Sequence, residues 1–212
     1  MNWKFKEDSI LINYNEHTPC KEIFQAVCDE IGIYYTQKGW KYARSRPKIT
    51  FKNSDLKIEI AFWSSGSNTP GDFVNLEILP YISSIELINN LKSKGYILSF
   101  IDLFTERLDN EPDGSKMIIN AFGGKIKRVD EYKRTPELVY NKNVNVYGVT
   151  ESDFEKLINF IESRVNIWTS RINDIKEIDS FLKKLTDDAK QRLIENDFGK
   201  LIKMKFPDYK ME

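Results

Sequence analysis

The chain has 212 residues and carries 32 basic and 32 acidic side chains, so its formal net charge is zero at pH 7. That length holds a full hydrophobic core, and the charge balance removes the global field by which strongly basic proteins reach nucleic acid or anionic membranes. One histidine and two cysteines, Cys20 and Cys28, exclude a disulfide framework and leave too few nitrogen and sulfur ligands for a zinc centre.

The opening MNWKFKEDSILINYNE has neither the long apolar run nor the small-residue cleavage site of a secretory signal. No stretch of about 18 apolar residues follows, so no membrane span is expected. The expectation is a cytoplasmic protein without a membrane or a cofactor. Ile10 to Tyr14 reads as a short strand. Thr18 and Pro19 read as N-cap and first helical residue. Ile23, Phe24, Val27 and Ile31 recur at helical spacing, which predicts a helix over Pro19 to Ile31, stopped by Gly32. Cys20 and Cys28 lie eight apart on that helix, about 12 Å, too far to bridge. His17, the single histidine, precedes the helix in a polar segment with no triad partner nearby, so its expected role is structural.

The segment GIYYTQKGWKYARSRP places Trp40, Tyr42, Arg44 and Arg46 on one face of a strand. From Lys38 to Glu59 seven residues are basic and two acidic, an interleaving of aromatic and basic groups that suits single-stranded nucleic acid. The plainer reading is an amphipathic strand with solvated charges.

Lys48 to Pro80 organises the rest of the chain. Leu56, Ile58, Ile60 and Phe62 alternate with Lys57, Glu59 and Ala61, the period of a strand with one buried face. Ile49 and Phe51 repeat the pattern before them. Val74, Leu76 and Ile78 repeat it after them, with Asn75 and Glu77 on the wet side. Asn53-Ser54-Asp55 supplies a turn whose side chains can bond nearby backbone. Ser64 to Asp72 holds two glycines and a proline among small polar residues. It is a candidate functional loop or a plain hairpin connection. A strand rather than a helix follows its glycines, so it is no phosphate cradle.

Gly32-Ile33, Lys38-Gly39, Trp40 and Arg44, followed by IEIAFWSSGSNTPGDFVNLEI, resemble the domain-of-unknown-function family 4304 of bacterial proteins over about Glu22 to Leu185. Glu77 stands where that family usually has glycine, and Ile33 where it usually has phenylalanine. The resemblance implies a sheet with flanking helices. It implies no activity, because the family has none established.

Ser84 to Lys94 reads as a short helix ended by Gly95. Tyr96 to Phe104 reads as a central strand and Glu111 to Gly114 as a turn. Met117 to Phe122 and Lys125 to Val129 read as strands joined at Gly123-Gly124. Arg128 to Asn143 reads as a loop and Val144 to Val149 as an edge strand. Asp102, Glu106, Asp109, Glu111 and Asp113 have no metal-loop spacing and are expected at a solvated tip. Thr150 and Asp153 resemble a capping box. Phe154, Ile158, Ile161, Val165, Trp168, Ile172 and Ile175 form a heptad-like stripe on a long helix. A break is expected near Asn173-Asp174, then a helix through Leu185 and a third over Gln191 to Met204. The stripe is expected to pack within the chain, or else to form a homodimer seam.

The expected fold is α+β: one antiparallel sheet of five to seven strands in residues 1–149 with an N-terminal helix packed on it, and a helical C-terminal segment, 150–212. No Walker loop, nucleophile elbow or dinucleotide fingerprint occurs, so no catalytic, cofactor-binding or metal residues are assigned. The expected function is non-enzymatic protein binding through Trp40, Arg44, Trp63, Asn68 and Asn75, with a partner such as a bacterial effector. Single-stranded nucleic-acid binding through 38–57 is the alternative, and a carboxylate–metal hydrolase ranks third.

Overall fold

The computed structural model describes residues 2–64, 66, 68–91, 96–98, 143–183 and 187–211. The elements are α1 (Cys20–Gln37), β1 (Lys41–Ala43), β2 (Lys48–Lys52), β3 (Leu56–Trp63), β4 (Asn75–Ser84), α2 (Ile85–Leu91), β5 (Tyr96–Leu98) and β6 (Asn143–Asn145). Helices α3 (Glu151–Arg171), α4 (Ile175–Leu182), α5 (Asp187–Glu195) and α6 (Asp197–Lys205) complete the chain. The sheet runs in the order β1-β2-β3-β4-β5, with β6 also pairing β4. The α+β arrangement expected from the sequence is the one observed. The turn at 111–114, the acidic group from Asp102 to Asp113 and the strands at 117–122 and 125–129 lie outside the described residues. So do the loop expected over 128–143, save its last residue, and the end of the strand expected over 96–104.

Two compact units divide the chain. The first holds the described residues of Met1–Thr50, Ile60–Leu79 and Arg107–Ile161. The second holds those of Phe51–Glu59, Pro80–Glu106 and Glu162–Glu212. The boundaries fall inside β2, β3, β4 and α3.

In the first unit α1 buries Ile23, Phe24, Val27 and Ile31, the face read from the sequence. Residues 10–14 form turns, not a strand, and the helix passes through Gly32 to Gln37. A Cβ on Gly32 would stand 2.4 Å from the Tyr42 ring. The glycine therefore lets β1 approach the helix instead of ending it. The stop is Gly39, at φ +82°. The Gly39 N–H donates to the Thr36 carbonyl and the Trp40 N–H to the Tyr35 carbonyl, both at 3.0 Å. That pattern is a Schellman motif. β1 pairs β2 antiparallel, with Tyr42 opposite Ile49. The strand expected to carry Arg44 and Arg46 ends at Ala43, and the chain turns there.

On β3 the alternation holds: Ile58, Ile60 and Phe62 are buried, and Lys57, Glu59 and Ala61 are partly exposed. On β4 it does not. Asn75, Pro80, Ser83 and Ser84 are buried along with the apolar positions. β6 pairs the first residues of β4, at Asn75, Leu76 and Glu77. β5 pairs its end, at Ile82 and Ser83. Pro80 falls between the two registers.

In the second unit the Asn53 side chain accepts from the backbone N–H groups of Asp55 and Leu56, at 2.8 and 2.7 Å, as the turn chemistry predicts. Asp174 and Asn196 cap α4 and α6, each accepting from the N–H two residues on. The helix expected over 191–204 is thereby two helices broken at Asn196. A Cβ on Gly199 would stand 1.8 Å from the Ile194 carbonyl oxygen, so only glycine permits that close turn between α5 and α6. Along the heptad-like stripe, Phe154, Ile158, Ile161, Val165 and Ile172 are all buried within one chain. The homodimer seam expected there thus lacks an exposed apolar row among the described residues, apart from Ile175, 37% exposed. No described helix is long and apolar enough to cross a membrane.

Candidate functional site

The five residues expected to form a binding surface separate into three roles. Trp40 is half-buried because it closes the Schellman motif, its ring 4.9 Å from that of Tyr35. Arg44 is exposed but engaged: its Nε lies 3.1 Å from both carboxylate oxygens of Asp29. Asp29 also accepts from the Tyr42 hydroxyl at 2.8 Å and from the Gln25 amide at 2.9 Å. Burial, reinforced by the Asp29 carboxylate, pushes the Tyr42 phenol far up. This cluster clips the turn after β1 to α1.

Asn68 and Asn75 hold the loop that follows β3. The Asn68 side chain donates to Ser64 Oγ at 2.7 Å and accepts from the Asn75 N–H at 2.8 Å. Asn75 is 4% exposed, which corrects its assignment to the wet face; Asn145 of β6 lies opposite it in the sheet. Thr69 and Phe73 form an isolated bridge. At Gly71 φ is +77°, and a Cβ there would lie 2.9 Å from Glu16. The 64–72 connection is thus tied to its own ends and to the N-terminal segment.

Trp63 is different. It ends β3 with 64% of its surface exposed, the largest value among the exposed large hydrophobic residues described. Ile60 and Phe62 beside it are buried, so the strand carrying the ring is anchored.

A cleft of about 370 Å³ lies along α1, lined among others by Lys6, Asp8, Glu22, Asp29, Glu30 and Arg44. Glu30 forms part of it yet is 3% exposed. It accepts from Trp3 Nε1 at 3.1 Å and from the Lys6 N–H at 3.4 Å. Burial raises its pKa, against the pull of those donors. These carboxylates do not assemble a metal site: among the described residues no group of three or more His, Cys, Asp or Glu could hold an ion. His17 is solvent-exposed, its Nε2 3.9 Å from Glu16. Burial pushes the Cys28 thiol up, away from the thiolate that reactive cysteines need.

Sequence reasoning missed the N-terminal segment, residues 3–6, which binds Glu30 and the first turns of α3. The available signal was the period of two in Trp3-Lys4-Phe5. Compared with protein-family models, with curated proteins and with solved structures, the chain matches none.

Proposed function

We propose that this chain is a non-enzymatic protein-binding module whose contact face centres on Trp63. The observation that carries the reading is an exposed tryptophan, 64% accessible, on an anchored strand end. Tryptophan is the residue most enriched among interface positions that dominate binding energy. A rigid strand presents it at little ordering cost. The resemblance to family 4304 is kept within this proposal, and with it a bacterial setting and a cytoplasmic partner such as a toxin or other effector, by analogy of fold.

The packing of 38–57 favours this reading over nucleic-acid binding. Trp40 packs tilted against Tyr35, and Lys38 sits over the Tyr34 ring at 4.6 Å. Arg44 pairs with Asp29, and Lys57 with Glu59 at 3.0 Å. These four side chains, which would stack on bases or neutralise phosphates, are engaged within the chain.

The test is a tagged pull-down from source-cell lysate, with and without nuclease, read by mass spectrometry for the wild type and Trp63→Ala. The expected result is one stoichiometric protein that survives nuclease and binds the variant about 30-fold more weakly, as loss of roughly 2 kcal/mol implies. The melting temperature should stay nearly unchanged, because an exposed side chain is removed. Equal recovery by both proteins would overturn the proposal. Loss of every partner on nuclease treatment, with salt-dependent binding, would favour nucleic acid.

A further inference from the structure

The first unit contains an interaction surface that the Trp63 reading does not use. Its walls are α1 and the first two turns of α3. Its occupant is the chain's own Trp3-Lys4-Phe5, which belongs to no helix or strand. Trp3 and Phe5 point the same way and pack on Phe154, with ring centroids at 5.3 and 5.9 Å. Trp3 also meets Tyr34 edge-on at 5.6 Å. Lys4 points away, its side chain 71% exposed, and pairs with Glu151.

The polar contacts are regular. The Trp3 N–H donates to Glu155 Oε1 at 2.7 Å and the Phe5 N–H to Glu151 Oε1 at 3.1 Å. Two residues of extended chain span about 6.8 Å, and helix positions i and i+4 are separated by about 6 Å of rise. The two carboxylates therefore match alternate N–H groups of a peptide running antiparallel to α3. Trp3 Nε1 donates to Glu30 Oε2, a bond that no other apolar side chain could make.

We infer that this groove is a recognition site for an extended peptide of the pattern tryptophan–basic–aromatic, which residues 3–5 fill as an internal pseudo-ligand. Main-chain N–H groups read by carboxylates supply affinity that depends little on sequence, while the indole–Glu30 bond and the Phe154 contact select the side chains. A partner bearing this pattern competes with the internal segment. The contacts involve none of the Trp63 face, so the two proposals fail separately.

The probe is a fluorescein-labelled peptide, Asn-Trp-Lys-Phe-Lys, titrated by anisotropy into the full chain. Trp3→Ala combined with Phe5→Ala empties the groove and is expected to bind the peptide at least about tenfold more tightly than the wild type. Binding should fall at least about tenfold when the peptide's tryptophan becomes phenylalanine. It should fall likewise when the phenylalanine nitrogen is methylated, since Glu151 then loses its donor. Should the double variant not fold, Lys4→Glu decides: it keeps both rings but sets a carboxylate against Glu151, and peptide affinity should rise above wild type. No saturable binding to a folded variant overturns the proposal, as does binding indifferent to both peptide changes. A concentration-dependent wild-type dimer that Lys4→Glu abolishes also overturns it, because the occupant would then be a second copy's segment.

Discussion

Glu30 brings a carboxylate into the interior of the first unit, and its environment sets how stability varies with pH. Burial raises its pKa above the ordinary 4.5 despite the donors at Trp3 and Lys6. A raised value means that the folded state holds the proton more tightly than the unfolded chain does. The stability linked to this proton is fully present below the ordinary glutamate value and is lost as pH rises through the folded one. Glu30→Gln removes the charge and keeps an acceptor. Its melting temperature is expected to match the wild type near about pH 4 and to exceed it increasingly toward about pH 7. Thermal melts across that range check this, and a constant gap would assign the titration to another group. Gly32 illustrates what a residue type alone does not disclose. A glycine after a periodic run fits a helix stop and a close approach equally well. Only the Tyr42 ring above it separates the two, and that ring arrives from another element.

At the scale of elements, caps are local, and the one before α3 was legible, whereas the N-cap read at Thr18 is replaced by Pro19 with no side-chain cap bond. Thr150 Oγ1 accepts from the Asp153 N–H at 3.2 Å and Asp153 Oδ2 from the Thr150 N–H at 3.3 Å, the reciprocal pair that the spacing predicts. Asn196 was missed because Gln191 to Met204 keeps a helical pattern through it. The side chain nevertheless caps α6, at 2.9 Å from the Phe198 N–H. Asn196→Ala is expected to cost about 1 kcal/mol, lowering the melting temperature by roughly 2–4 °C for a chain of this size. Asn196→Asp, which keeps the acceptor, should melt close to the wild type. Equal effects from both substitutions would show that the cap contributes nothing.

At the scale of the whole molecule, the equality of 32 basic and 32 acidic residues removes the net repulsion that keeps copies apart. Light scattering at fixed concentration should therefore peak near about pH 7 and fall on moving about two pH units in either direction. A monotonic profile would show that self-association is governed by something other than net charge, with the exposed Trp63 ring the first suspect.

The sequence by itself determined whatever depends on neighbours along the chain. The period of two in β3, the Asn53 turn, the apolar face of α1, the capping box of α3 and the break before α4 are all short-range, and all were readable. Tertiary structure decided what depends on which segments meet. Asn75 alternates with apolar residues like a solvated position, but it is buried, opposite Asn145 of β6 from about seventy residues away. Trp40 and Arg44 read as surface groups until the ring of Tyr35 and the carboxylate of Asp29 engage them. Trp63 alone of the five remains an exposed, unburied ring. The physical reason is that local periodicity reports which face of an element is apolar. Whether a polar or aromatic side chain on the other face reaches solvent is set by partners that periodicity does not name.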